Sequence, residues 1–148
     1  MTVTGGCICG AVRYTAESEN AILISKLIMS VNNATKAVCH CKPCQKRTAS
    51  AFSVNVIIPR SAFKITQGII RSYPHLGDSG KLYHSHFCSN CGASTHGVPD
   101  ASTSVLAIKA GSLDEEFVDL GAMDSEFYVV DRLGYLKALE GVEQHDGM

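Results

Sequence analysis

The sequence predicts a mainly β protein, built of antiparallel sheets with few short helices. Three observations carry this. Short runs alternate apolar and polar residues with a period of two, clusters of Gly, Asp, Asn and Ser separate them, and no long stretch keeps a helical period. With 148 residues and 45% apolar side chains, the chain is expected to form one domain over 1–148 with a core of its own.

The elements follow in order. "GAVRYTAE" (10–17) alternates, with Val12 and Tyr14 on one face and Arg13 and Thr15 on the other. "SKLIMSVNN" (25–33) is apolar and β-branched enough for a strand. "KPCQKRTASAF" (42–52) suits a short helix with Pro43 near its first position. "FSVNVIIP" (52–59) sets Val54, Val56 and Ile58 on one side, and "KLYHSHF" (81–87), "SVLAIKAG" (104–111) and "EFYVVDR" (126–132) keep the same period. "SLDEEF" (112–117) reads as a single helical turn with Ser112 as N-cap and Glu115 three residues on. Turn signals fall at 17–20, 31–35, 75–81 and 98–103, and the last residues, "VEQHDGM", are expected to fray.

Composition excludes several classes. A formal net charge of −1, few aromatics and no tryptophan argue against a nucleic-acid partner. No apolar run approaches the ~18 residues of a membrane span. The start, "MTVTGGCICG", has no basic region followed by an apolar stretch, so no secretory signal is expected and the location expected is the reducing cytoplasm. In that compartment clustered cysteines bind metal or do chemistry more often than they form disulfides.

All seven cysteines lie in tight groups: Cys7 and Cys9 as C-x-C, Cys39, Cys41 and Cys44 as C-x-C-x-x-C, and Cys88 and Cys91 as C-x-x-C before Gly92. On an extended backbone residues i and i+2 point to one side, so C-x-C aims two sulfurs at one point and turns Ile8 or His40 away. A C-x-x-C turn does the same. Zinc holds sulfur at about 2.3 Å in a tetrahedron, which sets ligand sulfurs roughly 3.8 Å apart, within reach of both spacings. Cys39, Cys41 and Cys44 most simply serve one ion. Cys7, Cys9, Cys88 and Cys91 remain as two pairs for another. The count gives a closed four-cysteine site, structural in kind, and an open three-cysteine site with one exchangeable position, the pattern of catalytic zinc. Two zinc ions per chain are therefore expected. Lys42, Lys46 and Arg47, just after the open site, would suit an anionic substrate such as a small carboxylate-bearing thiol.

"GGCICGAVRY", "CHCKPCQKRTASAF", "FCSNCG" and "AGSLDE" resemble, in order, motifs of the glutathione-dependent formaldehyde-activating enzyme family, which also includes centromere protein V. The resemblance runs from Gly5 to about Leu136. It implies a β-tent fold, a structural zinc on Cys7, Cys9, Cys88 and Cys91, and a catalytic-type zinc on Cys39, Cys41 and Cys44. The activity it implies is carbon–sulfur lyase chemistry, interconverting S-hydroxymethylglutathione with glutathione and formaldehyde. The chain departs from the family pattern in the longer "ESENAILISKLIMSVNNAT" (17–35) and in Arg132 followed by "LGYL", where many members carry tryptophan.

Other polar residues are read more plainly. His40 is expected to face away from the metal. His84 and His86 fall on the side of Cys88 and either line the pocket, fill the open position or sit half-exposed. His96 follows the knuckle, Asp78 sits in a glycine-flanked turn, and Asp114, Glu115 and Glu116 are helix-start charge. No serine-hydrolase triad or dinucleotide fingerprint is visible. The expected function is a zinc-dependent carbon–sulfur lyase using a small thiol such as glutathione, with no nucleic-acid or membrane partner; association as a homodimer is compatible with it. The alternatives are a non-catalytic zinc-binding interaction module and a thiol sensor that releases metal on oxidation.

Overall fold

A computed structural model describes residues 2–17 and 34–148. The strand expected at 25–33 lies outside the described residues. Among those described, strands dominate and the helices are two short ones. A three-stranded sheet has the order β1–β2–β5, from β1 (Thr2–Gly6), β2 (Arg13–Glu17) and β5 (Phe63–Gln67). The second sheet has eight strands: β3 (Thr35–Cys39), β4 (Ser53–Pro59), β6 (Ile70–Leu76), β7 (Leu82–Cys88), β8 (Ser94–Pro99), β9 (Val105–Lys109), β10 (Ser125–Phe127) and β11 (Glu143–His145). Its order is β11–β10–β3–β4–β9–β8–β7–β6. No helix among the described residues is long and apolar enough to cross a membrane.

The large sheet is mixed. β10 runs parallel to both β3 and β11, while the other pairs are antiparallel. Consecutive strands account for most of the antiparallel part, while β4 and β9 pair across the intervening β5 to β8. β10 arrives beside β3 from far along the chain, so no tight turn dictates its direction.

The core lies between the sheets. Val56 and Ile58 of β4, Leu106 and Ile108 of β9 and Val98 of β8 meet Val3, Tyr14 and Ala16 of the small sheet, with Phe63 and Ile65 packed alongside. This is the alternation that the sequence shows, with the even-numbered residues of β4 turned inward. The opposite face of the large sheet carries Asn55, Ala107 and Lys109 and is free for other work.

The sequence reading does not name β1, β3, β5, β6 or β8, and three of the stretches it does describe differ. The run at 126–132 is a strand only to Phe127. Tyr128 then adopts a left-handed backbone (φ 57°), and Val129–Asp131 make a 3-10 turn. The turn at 112–117 begins later: helix α2 (Glu115–Val118) follows Asp114, and Ser112 is instead buried, its Oγ 2.7 Å from the Tyr14 hydroxyl. The C-terminal stretch forms β11 rather than fraying. Glu126, buried at the centre of this region, accounts for it. It accepts from Gln144 Nε2 (2.7 Å) and the Leu139 amide (3.1 Å), and Arg132 lies 3.1 Å away.

Candidate functional site

The four-cysteine cluster is built from two turns. After β1, Cys7 donates its amide to Val12 O, and Gly10 (φ 74°) closes back on Cys7 O at 3.0 Å. After β7, Gly92 (φ 73°) closes on Cys88 O at 3.0 Å. Both glycines occupy the left-handed region that a side chain would strain. The first C-x-C is thus carried on a turn, not on extended backbone. The sulfurs of Cys7, Cys9, Cys88 and Cys91 all lie within 4.8 Å of one another, with Cys7–Cys9 at 3.4 Å and Cys9–Cys88 at 3.9 Å. Those spacings bracket the ~3.8 Å edge of a zinc–thiolate tetrahedron, so the residues fit the metal. Donors already face the sulfurs: the Val12 amide to Cys7 (3.2 Å), the Asn90 amide to Cys88 (3.3 Å) and Asn90 Nδ2 to Cys9 (3.3 Å). The Asn90 side chain is the largest influence lowering the Cys9 thiol to about 6.

The three-cysteine cluster joins a strand end to a helix start. Cys39 ends β3. Cys41, with extended φ/ψ (−56°, 150°), caps helix α1 (Lys42–Thr48) and accepts the Cys44 amide on its sulfur at 3.4 Å. The backbone is extended through 39–41, so the i and i+2 sulfurs share a side, and Cys44 swings in from the first helical turn. The three sulfurs lie within 4.8 Å of one another, again a fit for zinc, with three ligands where four would close the site. His40 points away. Its Nε2 donates to Glu126 Oε1 at 2.6 Å, and its ring packs edge-on against Phe52.

This cluster opens onto a cavity of about 390 Å³ on the free face of the large sheet, with predominantly apolar walls. Its polar floor is a hydrogen-bonded chain of buried side chains. Lys109 Nζ donates to Asn55 Oδ1 (2.6 Å), Asn55 Nδ2 donates to Ser53 Oγ (2.9 Å), and Ser53 Oγ donates to Cys44 Sγ (3.0 Å). Register builds the chain, since Cys39 stands opposite Ser53, and Asn55 stands between Ala37 and Lys109. The Cys44 thiol is pulled down to about 2, first by hydrogen bonds from Cys39 and Cys41, with the Lys109 charge and Ser53 adding to them against burial. One negative charge is thereby favoured among the three sulfurs. Burial pushes Lys109 down, and the Cys44 charge opposes that. Tyr83 leans over Gly97, where any Cβ would meet its ring within 2.4 Å, and its ring centre lies 5.9 Å from Lys109 Nζ. Tyr128 closes another wall beside Asp78; its hydroxyl is raised to about 12, by burial first and then by Asp78.

Of the cations noted in the sequence, Arg47 lines the cavity and donates to His86 O (3.0 Å) and Ser94 Oγ (3.1 Å). Lys42 is exposed and pairs with Asp131 at 3.2 Å, and Lys46 is exposed on the same helix; neither lines this cavity. His84 and His86 do not line it either. His84 pairs with Asp100 (3.1 Å), and His86 stacks on His96 (4.3 Å), turned from the cavity by the strand's alternation. Sequence reasoning missed Lys109, Asn55, Ser53 and Tyr83. Asn55 and Lys109 do break their apolar runs at polar positions, but only cross-strand register reveals that they meet.

The model of the family described as glutathione-dependent formaldehyde-activating enzyme matches residues 2–131. Among solved structures, the crystal structure of a Rhodobacter sphaeroides protein resembles the chain with a TM-score of 0.53 and 21% identity, covering 76% of this chain and 88% of that one. That likeness concerns the fold.

Proposed function

Because the chain belongs to the glutathione-dependent formaldehyde-activating enzyme family, we propose that it is a carbon–sulfur lyase that adds a thiol such as glutathione reversibly to an aldehyde, with zinc on Cys39, Cys41 and Cys44. The observation that carries this reading is the placement of three convergent thiols beside a buried lysine on the floor of a cavity. Zinc held by these three cysteines would supply Lewis acidity and would lower the pKa of a thiol bound to it.

The chain's own residues supply the rest. The C–S bond forms between substrate sulfur and aldehyde carbon, and the proton leaving the thiol ends on the carbonyl oxygen, so no oxidant is needed. As the bond forms, that oxygen gains negative charge. Lys109 has three N–H donors, and Asn55 holds one, which leaves donors for the oxygen. The apolar walls keep competing water low and strengthen that interaction. Arg47 adds a second positive charge to the cavity lining. Ser53 steadies Cys44 through its O–H···S bond. Cys7, Cys9, Cys88 and Cys91 would hold a structural zinc, which would tie the turn after β1 to the end of β7.

The test is exchange NMR between glutathione, formaldehyde and S-hydroxymethylglutathione, with metal content measured on the same sample. Exchange faster than in buffer, lost in Cys41→Ser, supports the reading. Exchange at the buffer rate with both sites loaded overturns it.

A further inference from the structure

The cavity floor is graded, and the grading follows strand register. Nearest the cysteines lies the pair Cys39 and Ser53. The next row holds Ala37, Asn55 and Lys109 across β3, β4 and β9. Two residues further along stand Ile57, Ala107 and Gly97, with Ser85 at the row's end, and beyond them come Val105 and Pro99, with Tyr83 and His75 at that row's end. Successive same-face rows are about 7 Å apart. Buried lysine charge is thus confined to one row of the sheet, and on β4 and β9 the two rows beyond it are apolar, with the polar residues Ser85, Tyr83 and His75 on the β6 and β7 side.

A zinc with three thiolates carries one net negative charge, while Lys109 and Arg47 carry two positive ones. Such a floor has room for a single further anionic group, which the reacting sulfur or the carbonyl oxygen takes. The charged ends of a thiol like glutathione would be stranded against Ile57, Ala107 and Val105, because burying an unpaired charge there is costly. They belong at the polar rim, where Asp78, Ser79 and Lys81 line the mouth. What remains for the apolar rows is the substituent on the aldehyde carbon. Formaldehyde has none.

From this we infer that the aldehyde is an apolar one of several carbons, its chain lying over Ile57, Ala107 and Val105. The product would be the S-(1-hydroxyalkyl) adduct of the thiol. The reaction is the same balanced addition, R–CHO plus R′–SH giving R–CH(OH)–SR′. The inference rests on the thiol–aldehyde reading of the site and names its substrate class.

The experiment measures acceleration over the uncatalysed rate, with glutathione as the thiol and the zinc-loaded protein, for formaldehyde, acetaldehyde, propanal, butanal and the anionic succinic semialdehyde. The expected result is a rise of roughly fourfold per added methylene, so that butanal exceeds acetaldehyde about fifteenfold, with succinic semialdehyde well below butanal. Ala107→Leu, which fills the apolar row, should bring the butanal-to-acetaldehyde ratio close to one. Val105→Phe, one row further out, should do so at a longer chain length, and melting curves report whether each variant is folded. A flat series with formaldehyde still accelerated, or succinic semialdehyde equal to butanal, overturns this inference alone. Absence of acceleration for every aldehyde overturns it together with the thiol–aldehyde reading.

Discussion

The two cysteine clusters use the same atoms in opposite settings. The four-cysteine cluster sits on two turns that the chain brings together from residues 7–9 and 88–91, and its sulfurs receive mostly backbone N–H donors. The three-cysteine cluster is local in sequence, faces a cavity, and leans on buried side chains, Ser53 above all. The first gathers four thiols from distant segments. The second gathers three and has more polar side chains around it. Local spacing makes a ligand set easy to assemble, and surroundings decide what the set does.

The largest effect should separate the clusters outright. Cys88→Ser removes a ligand from the site that joins distant strands, and should lower global stability by on the order of 4 kcal/mol or more. Cys41→Ser, at the local site, should leave stability within about 1 kcal/mol of the parent while abolishing thiol–aldehyde exchange. Denaturant titrations beside exchange NMR make the check. Equal destabilisation by both would erase the distinction.

Next comes the support behind the local cluster. Glu126 binds His40, Arg132, Gln144 and the Leu139 amide, and so links the strand carrying Cys39 to the C-terminal segment. Glu126→Ala leaves His40 buried without its partner and frees Arg132, Gln144 and the Leu139 amide, and should cost about 3–5 kcal/mol. Burial would raise this carboxyl, yet the hydrogen bonds from Gln144, Leu139, His40 and Arg132 prevail and lower it from 4.5 to about 2. A depressed carboxyl gives its stabilisation in full above the unfolded value and loses it as pH falls. Wild type should therefore lose this share of stability between about pH 5 and pH 2, whereas Glu126→Gln should lack that part of the slope. Parallel pH profiles for the two proteins would show that Glu126 is not the source.

A third comparison concerns function more than stability. Lys109→Met keeps the shape of a buried side chain but removes its donors. Loss of one such donor costs about 10²–10³ in kcat, and leaving buried Asn55 Oδ1 without its donor costs about 1–3 kcal/mol in folding. Exchange should fall by that factor while the melting temperature drops only modestly. An unchanged rate would remove Lys109 from the reaction.

The sequence made the two cysteine groups plain because sites fit for metal demand fixed residue types at short spacing. Their neighbours were less legible. Lys109 follows Ile108 at an outward position of a strand, where a lysine ordinarily meets water; only the pairing of β9 with β4 turns it into a floor residue beside Asn55. His84 and His86 showed the converse: the strand was foreseen, but which face carries the cavity depends on what packs behind it. The strand at β10 reads too long in the sequence and β11 is missed because three-residue runs have too little period to read, and buried Glu126 of β10 holds β11 through Gln144.

The smallest expected effect tests the comparison most finely. In the first cluster most donors to sulfur are backbone amides, which substitution cannot delete; Asn90 Nδ2 to Cys9 is a side-chain exception. In the second, Ser53 gives Cys44 its hydroxyl donor directly, and Ser53 in turn is held by Asn55. Deleting one such hydrogen bond costs about 1 kcal/mol, or roughly fivefold in affinity. The Cys44 thiolate would then compete less well against its proton, so Ser53→Ala should weaken metal binding at the second site by that factor and leave the first unchanged. Chelator competition, stepping from the weaker to the tighter site, reads both affinities in one titration. Asn90→Ala supplies the mirror image. If each substitution weakens only its own site, the clusters are tuned separately by their surroundings; if Ser53→Ala weakens both alike, its effect runs through folding and the side-chain support described here is not what distinguishes them.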